Sequence, residues 1–531
     1  MRILGMKPGH DGHICALLDG RLEFSIEAEK DSWPRYEVVT PHLMTRALEM
    51  IDDMPDAIAM SGWVKGFHSV SAPTEGQYFG IDPANRVIET RTMMGRDMTY
   101  FASSHERSHI FCSFALSPFR QSEPFYALTW EGNIGAFYRV DAQMNIVKIG
   151  DVMEDPGNKY AYLYALADPK FPDGTGFFRF EDAGKLMALC SYGTPGEMTS
   201  EERFVIDKVL AQKSILLTLD KAEFRHNKFY NIGVEHPEFK SLARKHSDAI
   251  FETFHAFARE HLTEGLPLVI GGGCGLNCDW NSAWKATGLF ADVFVPPCTN
   301  DSGSAIGTAA EAQFYLTGSA KVDWSVYAGE EFVFDIDVPQ EVEESILDLD
   351  DLVCRLEEGA VLAWVQGRYE IGPRALGNRS IIANTFSSEM HKRLNTIKKR
   401  EGFRPIAPIC LEDEVARLFE NDGASPHMLY FQKVKTDAIP AITHVDGSAR
   451  LQSVNARQNP AMFELLTRFR ARTGYGILCN TSLNFNGTGF INRLSDLHAY
   501  AVDRGLDGYV VGQRYFCLQA HNARNILKVA S

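Results

Sequence analysis

The chain opens on alternating apolar and polar runs that predict three short strands. In RILGMKPGHDGHICALLDGRLEFSIEAEK (residues 2–30), apolar stretches flank a Gly-His-Asp loop at Gly9–Asp11. Asp19-Gly20, set between two apolar runs, is a two-residue hairpin signal. The same cadence returns at Phe125–Val140, FYALTWEGNIGAFYRV, as strand, acidic-glycine loop and strand. Between these units, Pro41–Met54 and Ser103–Ser117 read as helices. His105 and His109 lie four apart in the second, and so share one face. The stretch from Glu201 to Glu264 is polar and helical. LPLVIGGGCGLNCDWNSAWKA then predicts a buried strand, a turn at Gly271–Gly273 and a helix entered near Asn277. VFVPPCTNDSGSAIGTAAEA predicts a strand, a loop carrying Asp301 and a helix of small residues.

The pattern changes at Val322–Asp351, which is acidic and lacks glycine loops, so a domain boundary is expected near residue 345. Beyond it strands and helices alternate to the end, including the apolar run Val361–Val365 and the stretch Tyr475–Gly487. A chain of 531 residues exceeds one compact core, and 45% hydrophobic with 23% charged residues is ordinary for a soluble globular protein. The two strand–loop–strand units suggest an α/β fold with a duplicated, phosphate-clamping N-terminal domain of the actin type. Ten cysteines scattered without CxxC spacing, and the lack of a signal-like start or a bilayer-length apolar run, lead to the expectation of a reduced, cytoplasmic protein. A net charge of -16 argues against broad nucleic-acid backbone binding.

Against that acidity, Gln366–Pro408 reverses sign. Arg368, Arg374, Arg379, Lys392, Arg393, Lys398, Lys399, Arg400 and Arg404 face only Glu370, Glu389 and Glu401. Gly367, Gly372 and Gly377 allow close backbone approach, and interspersed apolar residues and prolines separate the stretch from a plain solvated face. A polyanion pocket is the expectation. In the first half, His105 and His109 with the loop carboxylates Glu131 and Asp301 form a mixed nitrogen and oxygen set. Such a set suits Fe(II), Mn(II) or Zn(II), and the residues do not choose among them. His10, beside Asp11, is a candidate general base for a hydroxyl nucleophile; the alternative is a loop histidine with a local hydrogen bond. Lys185 is expected to meet a phosphate or to cap its helix. Gly272, Gly273 and Asn277 form a Gly-turn and helix start fit for a nucleotide phosphate. Cys274 and Cys278 read as small fillers.

Nine segments in order resemble the NodU/CmcH family of O-carbamoyltransferases. They are Gly9–Asp11, His105–His109, Asp182–Gly193, Gly271–Asn277, Asn300–Gly307, Gly367–Ile381, Lys398–Pro408, His444–Val454 and Asn480–Gly487. The combination of GPRALGNRS, REGFRPIAP and NTSLN is specific to that family. The resemblance implies an actin-like (ASKHA), metal-dependent carbamoyl-transfer domain over 1–345 and a smaller YrdC-like α/β domain over 346–531. It further implies that carbamoyl phosphate and ATP with Mg2+ give carbamoyl-adenylate in the second domain. An acceptor hydroxyl then takes the carbamoyl group in the first. By motif, Arg374, Lys398, Arg404, Arg450, Asn480 and Ser482 line the adenylate-forming site, with Arg368 and Arg379 as neighbours. His105, His109, Glu131 and Asp301 hold a transition metal, Fe2+ first, with Mn2+ or Zn2+ as alternatives, and His10 activates the hydroxyl.

Five positions depart from the family pattern. Ser104 stands where the family has a further histidine, Ile110 where it has an alanine, Glu131 where it has an aspartate, Ile406 where it has an aromatic residue, and His427 where its SPYM segment has a tyrosine. The acceptor is expected to be a natural-product or sugar hydroxyl, or the hydroxymethyl group of a pyrimidine nucleotide or DNA base. The competing reading is an actin-fold small-molecule kinase, which needs no arginine pocket. A homodimer is compatible with the sequence, which does not settle oligomeric state.

Overall fold

The computed structural model describes residues 1–64, 75–340, 342–420 and 423–518. The chain divides into two compact units. One gathers Met1–Ile58 with the chain from Asp323 onward; the other holds Ala59–Val64 and the chain from residue 75 to Val322. This division cuts the chain differently from a single boundary near residue 345. The first three strands, with the Gly9–Asp11 loop, belong to the unit that carries the arginine-rich loops.

The predicted hairpin forms. Strands His13–Leu18 and Arg21–Glu27 pair antiparallel across Asp19 and Gly20, whose φ angles of 50° and 82° are those of a primed two-residue turn. Strand Arg2–Lys7 pairs antiparallel with His13–Leu18, completing the meander. The counterpart in the other unit is Phe125–Trp130, Gly135–Val140 and Ile146–Asp151, again antiparallel. There the sheet continues with Leu268–Gly271, parallel to both Phe125–Trp130 and Val293–Phe294. The duplicated strand–loop–strand pattern and the α/β class are therefore both present. The helices are shorter than the sequence reading at their ends, Pro41–Glu49 and His105–Ala115. In the second case Ser103 ends strand Arg96–Ser103 and Ser104 caps the helix, its hydroxyl accepting from Arg107 N at 3.1 Å.

The C-terminal part of the first unit is an eight-stranded mixed sheet. Leu362–Val365 lies parallel to Gly508–Val511 and antiparallel to Arg379–Ala383, which pairs antiparallel with Ile477–Ser482. Successive side chains of these strands enter opposite cores, as the two-residue period of a strand requires. Ala363, Val365 and Ile381 pack with Leu394, Leu497 and Tyr500 on one face. Leu362, Trp364 and Ile382 pack with Leu356, Leu466 and Phe469 on the other. A sheet covered on both faces explains why its strands read as continuous apolar runs. All ten cysteines are free thiols, eight of them buried. Among the described residues no helix is long and apolar enough to cross a membrane.

Candidate active site and metal centre

The helix His105–Ala115 is buried on every face. It can be so because its neighbours present glycine where they touch it. A Cβ on Gly307, in helix Ser304–Thr317, would sit 1.9 Å from Ser108 O, and one on Gly271 would sit 2.8 Å from His109 O. The parallel strands Phe125–Trp130 and Leu268–Gly271 end side by side, and their carboxyl ends deliver Glu131 and Gly272. Gly272 has φ 103°, and a Cβ there would lie 2.5 Å from Trp130 O. Asp301 enters on the turn that precedes helix Ser304–Thr317.

These four elements bring His105, His109, Glu131 and Asp301 together, all buried. The two imidazole Nε2 atoms are 3.0 Å apart. Glu131 Oε2 lies 3.4 Å from each of them, and Asp301 Oδ1 lies 3.4 Å from His105 Nε2 and 3.5 Å from His109 Nε2. A tetrahedron of nitrogen and oxygen donors about 2.1 Å from a central cation has edges of about 3.4 Å, so the set fits a first-row divalent metal. Burial alone would lower the His109 pKa, but the Asp301 and Glu131 carboxylates outweigh it and raise it to about 9. Burial would raise Glu131, yet the two imidazoles hold it down at about 2. The glutamate arm thus reaches both histidines. Residues not singled out in the sequence orient the set: Tyr78 donates its hydroxyl to Glu131 Oε1 at 2.8 Å and stacks on His105 at 4.5 Å between ring centroids. Trp63 meets His105 edge-on at 5.3 Å. Nothing near the metal-helix motif in sequence signals Tyr78, which arrives from a separate loop.

Of the other predicted residues in this unit, Asn277 caps helix Cys278–Ala286, its Oδ1 accepting from Asp279 N at 3.1 Å, while its Nδ2 is buried without a hydrogen-bond partner. A Cβ on Gly273 would meet nothing within 4 Å, so the backbone there is open to a ligand. Lys185 donates to Asp182 Oδ1 at 2.7 Å on its own helix. Cys274 and Cys278 are buried fillers.

In the other unit, the loop between Leu362–Val365 and Arg379–Ala383 is built from within. Glu370, fully buried, accepts Leu376 N and Asn378 N at 2.7 Å each through Oε1. The guanidinium of Arg379, also fully buried, donates to Gln366 O at 2.7 Å, Gly367 O at 2.8 Å and Asn492 Oδ1 at 2.7 Å. Burial pushes its pKa down to about 10. Arg368 donates to Gly329 O at 2.6 Å and Ala328 O at 2.7 Å. Both arginines shape the loop that presents Arg374. Asn480 fixes that loop from the neighbouring strand: its Nδ2 donates to Ala375 O at 3.1 Å and Gln452 Oε1 at 2.9 Å, and its Oδ1 is buried without a partner.

Lys398, at the end of helix Ser388–Ile397, donates to Ser482 O at 2.6 Å and Asn484 Oδ1 at 2.8 Å. Its pKa is driven well down, first by burial and then by Arg400, Arg404, Arg504 and Arg35. Arg400, which the sequence reading left inside the cation run, is pushed down to about 9 by burial and by Arg404 and Arg450. Ser482 donates to Asn484 Oδ1 at 2.6 Å. Arg404, Arg450, Lys398 and Ser482 therefore share one neighbourhood, in which cations repel one another. Such an arrangement suits an anion. In the Gly9–Asp11 loop, His10 Nδ1 lies 3.0 Å from Asp11 Oδ2, with Asp11 at φ 52°.

Comparison with known proteins bears on what these sites serve. Residues 83–310 match the family described as Carbamoyltransferase N-terminus, and residues 353–517 match Carbamoyltransferase C-terminus. The chain is 46% identical over 518 residues to the 3'-hydroxymethylcephem-O-carbamoyltransferase of Amycolatopsis lactamdurans, covering 97% of this chain and 99% of that protein. The chain belongs to the carbamoyltransferase family. This carbamoyltransferase is also 46% identical over 522 residues to the 3'-hydroxymethylcephem-O-carbamoyltransferase of Streptomyces clavuligerus, covering 97% of this chain and 99% of that protein. To Nodulation protein U of Bradyrhizobium diazoefficiens it is 33% identical over 541 residues, covering 92% of this chain and 93% of the relative.

Proposed function

We propose that this carbamoyltransferase activates its donor with ATP. Carbamoyl phosphate, water and ATP give carbamoyl-adenylate, phosphate and pyrophosphate at the Arg374–Lys398–Arg404–Arg450 site. The acceptor hydroxyl then attacks the carbamoyl carbon, its bond to the adenylate oxygen breaks, and AMP leaves. The observation that carries this reading is the crowding of Lys398 by Arg400 and Arg404 without a compensating carboxylate on Lys398 itself. Two polyanions repel each other, and bringing them together calls for cations already fixed in place. The carbonyl-anchored Arg368 and Arg379 hold the loop; Arg374, Arg404 and Arg450 meet the phosphates. The eight-stranded C-terminal part of the first unit is read as the YrdC-like, adenylate-forming part, and ATP arrives as its Mg2+ complex.

In the transfer half-reaction His10 takes the hydroxyl proton. Asp11 on its Nδ1 side orients the ring and steadies the imidazolium that forms. His105, His109, Glu131 and Asp301 hold a divalent transition metal, Fe2+ with Mn2+ or Zn2+ as alternatives, while Tyr78 and Trp63 fix the ligand carboxylate and ring. A metal held by these four residues would supply Lewis-acid chemistry to the transfer site. Gly272, Gly273 and Asn277 are read as nucleotide contacts of this unit. The acceptor is a hydroxymethyl group on a small natural product of the cephem kind. The 46% identity over nearly the whole length of those enzymes supports this over a sugar or a nucleobase.

Arg404→Ala tests the reading. It is expected to remove carbamoyl-phosphate-dependent AMP formation by about 100-fold or more, the worth of a preorganised charge at a reacting phosphate. Undiminished AMP formation, or ADP as the product, contradicts it.

A further inference from the structure

The stretch EAEKDSWPRY, residues 27–36, links the first meander to helix Pro41–Glu49 and carries more buried charge than a connection needs. Glu27, Glu29 and Lys30 are 4%, 5% and 2% exposed. Three residues in it have left-handed backbones: Asp31 at φ 63°, Ser32 at 64° and Tyr36 at 64°. A tyrosine gains nothing from that conformation by itself, so its surroundings impose it.

Those surroundings are two loops of the anion site in the same compact unit. Ser32 N donates to Phe490 O at 2.9 Å, Gly489 N to Trp33 O at 3.0 Å, and Arg35 N to Gly487 O at 2.9 Å. Pro34 lies opposite Thr488 in an antiparallel bridge. The approach is close enough that a Cβ on Gly489 would fall 2.0 Å from Glu29 O. On the other side, Gly372 of the arginine loop donates its N–H to Glu27 Oε1 at 2.5 Å, and its carbonyl accepts Lys30 Nζ at 2.7 Å. The segment is thus tied to the loop that presents Arg374 and to the loop that anchors Lys398.

Arg35 is the cation this segment brings in. Its Nε lies 3.4 Å from Glu29 Oε2, and its side chain keeps 34% of its surface exposed. Burial would raise the Glu29 pKa, but Arg35 first, then the Lys30 ammonium and the Tyr36 N–H, hold it down. The ion pair uses the Nε edge of a guanidinium that has further donors on its outer edge. Arg35 stands in the field of Lys398 and also of Asp11, beside His10.

We propose that Arg35 is a further anion-binding residue of the Lys398–Arg400–Arg404 site, carried there by the strained segment Asp31–Tyr36, where its outer edge contacts a phosphate group of the substrate. This rests on the phosphate-binding role proposed for that site. The test measures inorganic pyrophosphate binding to the full chain by calorimetry, with unfolding midpoints recorded in parallel. Arg35→Gln is expected to weaken binding about tenfold, the worth of one charge-assisted contact, and to lower the midpoint by leaving Glu29 short of a counter-charge, whereas Arg35→Lys, which keeps a cation beside Glu29, should restore most of both. Wild-type affinity in Arg35→Gln overturns the proposal. A wild-type chain that binds neither pyrophosphate nor ATP overturns the phosphate-site reading, and this proposal with it. Should Arg35→Gln fail to fold, phenylglyoxal labelling of wild-type Arg35 decides. Protection by saturating pyrophosphate supports the proposal, and unchanged labelling overturns it.

Discussion

At the scale of single residues, the arginines of one cation-rich stretch divide by what they touch. Arg379 spends its guanidinium on carbonyls and Asn492, whereas Arg404 lies among other cations. Arg379→Lys is expected to destabilise the fold by about 1–3 kcal/mol, because buried carbonyls lose donors that one ammonium cannot replace. Arg404→Ala should leave the melting midpoint unchanged while removing adenylate formation; denaturant titration beside the AMP assay separates the two. Sequence gives both residues the same charge within one cation-rich stretch, and their contacts show what each is used for. Glu131 was legible as a candidate ligand because it sits in a glycine loop after a strand. Tyr78 was not, because its partnership with Glu131 is made across the fold. Tyr78→Phe removes the hydrogen bond to Glu131 Oε1 but keeps the ring on His105. It is expected to weaken metal affinity about 10-fold, measured by chelator competition.

At the scale of elements, the helix that carries His105 and His109 is placed by what is missing on its neighbours. Ala at Gly307 would put a methyl group 1.9 Å from Ser108 O, so helix Ser304–Thr317 must move outward, and Asp301 at its start moves with it. Gly307→Ala is expected to cost about 1–3 kcal/mol and to lower bound-metal stoichiometry, read by metal analysis of the purified variant. Full occupancy with unchanged stability would count against this packing account. The helix of small residues, the Gly271–Gly273 turn and the Asn277 cap were all legible, since each follows from local propensity and periodicity. The overlong predicted ends at Met54 and Ser117 arose because helix pattern fades gradually, while capping sets the actual stops.

At the scale of the whole molecule, the acidic, glycine-poor stretch marked a change in composition, but the compact units also depend on contacts between distant parts of the chain. Hydrogen bonds such as Gly372 N to Glu27 Oε1 join residues 345 positions apart, and no local pattern announces them. The fold also sets an acid limit. His13 and His246 are fully buried, and burial pushes their pKa values down to about 3 and about 4. Both stay neutral when folded but bind protons when unfolded. Their contribution is therefore complete above about pH 6.5 and is lost as pH falls through about 4 for His246 and about 3 for His13. Stability measured over that window should fall with a slope approaching about two protons from these groups, and a flat profile would contradict their burial as neutral rings. The most direct test of the central claim needs only the purified chain, ATP, Mg2+ and carbamoyl phosphate, without acceptor, with pyrophosphate and AMP followed over time. Release of both that depends on carbamoyl phosphate is the expected result. ATP left intact, or converted only to ADP, would contradict activation through an adenylate.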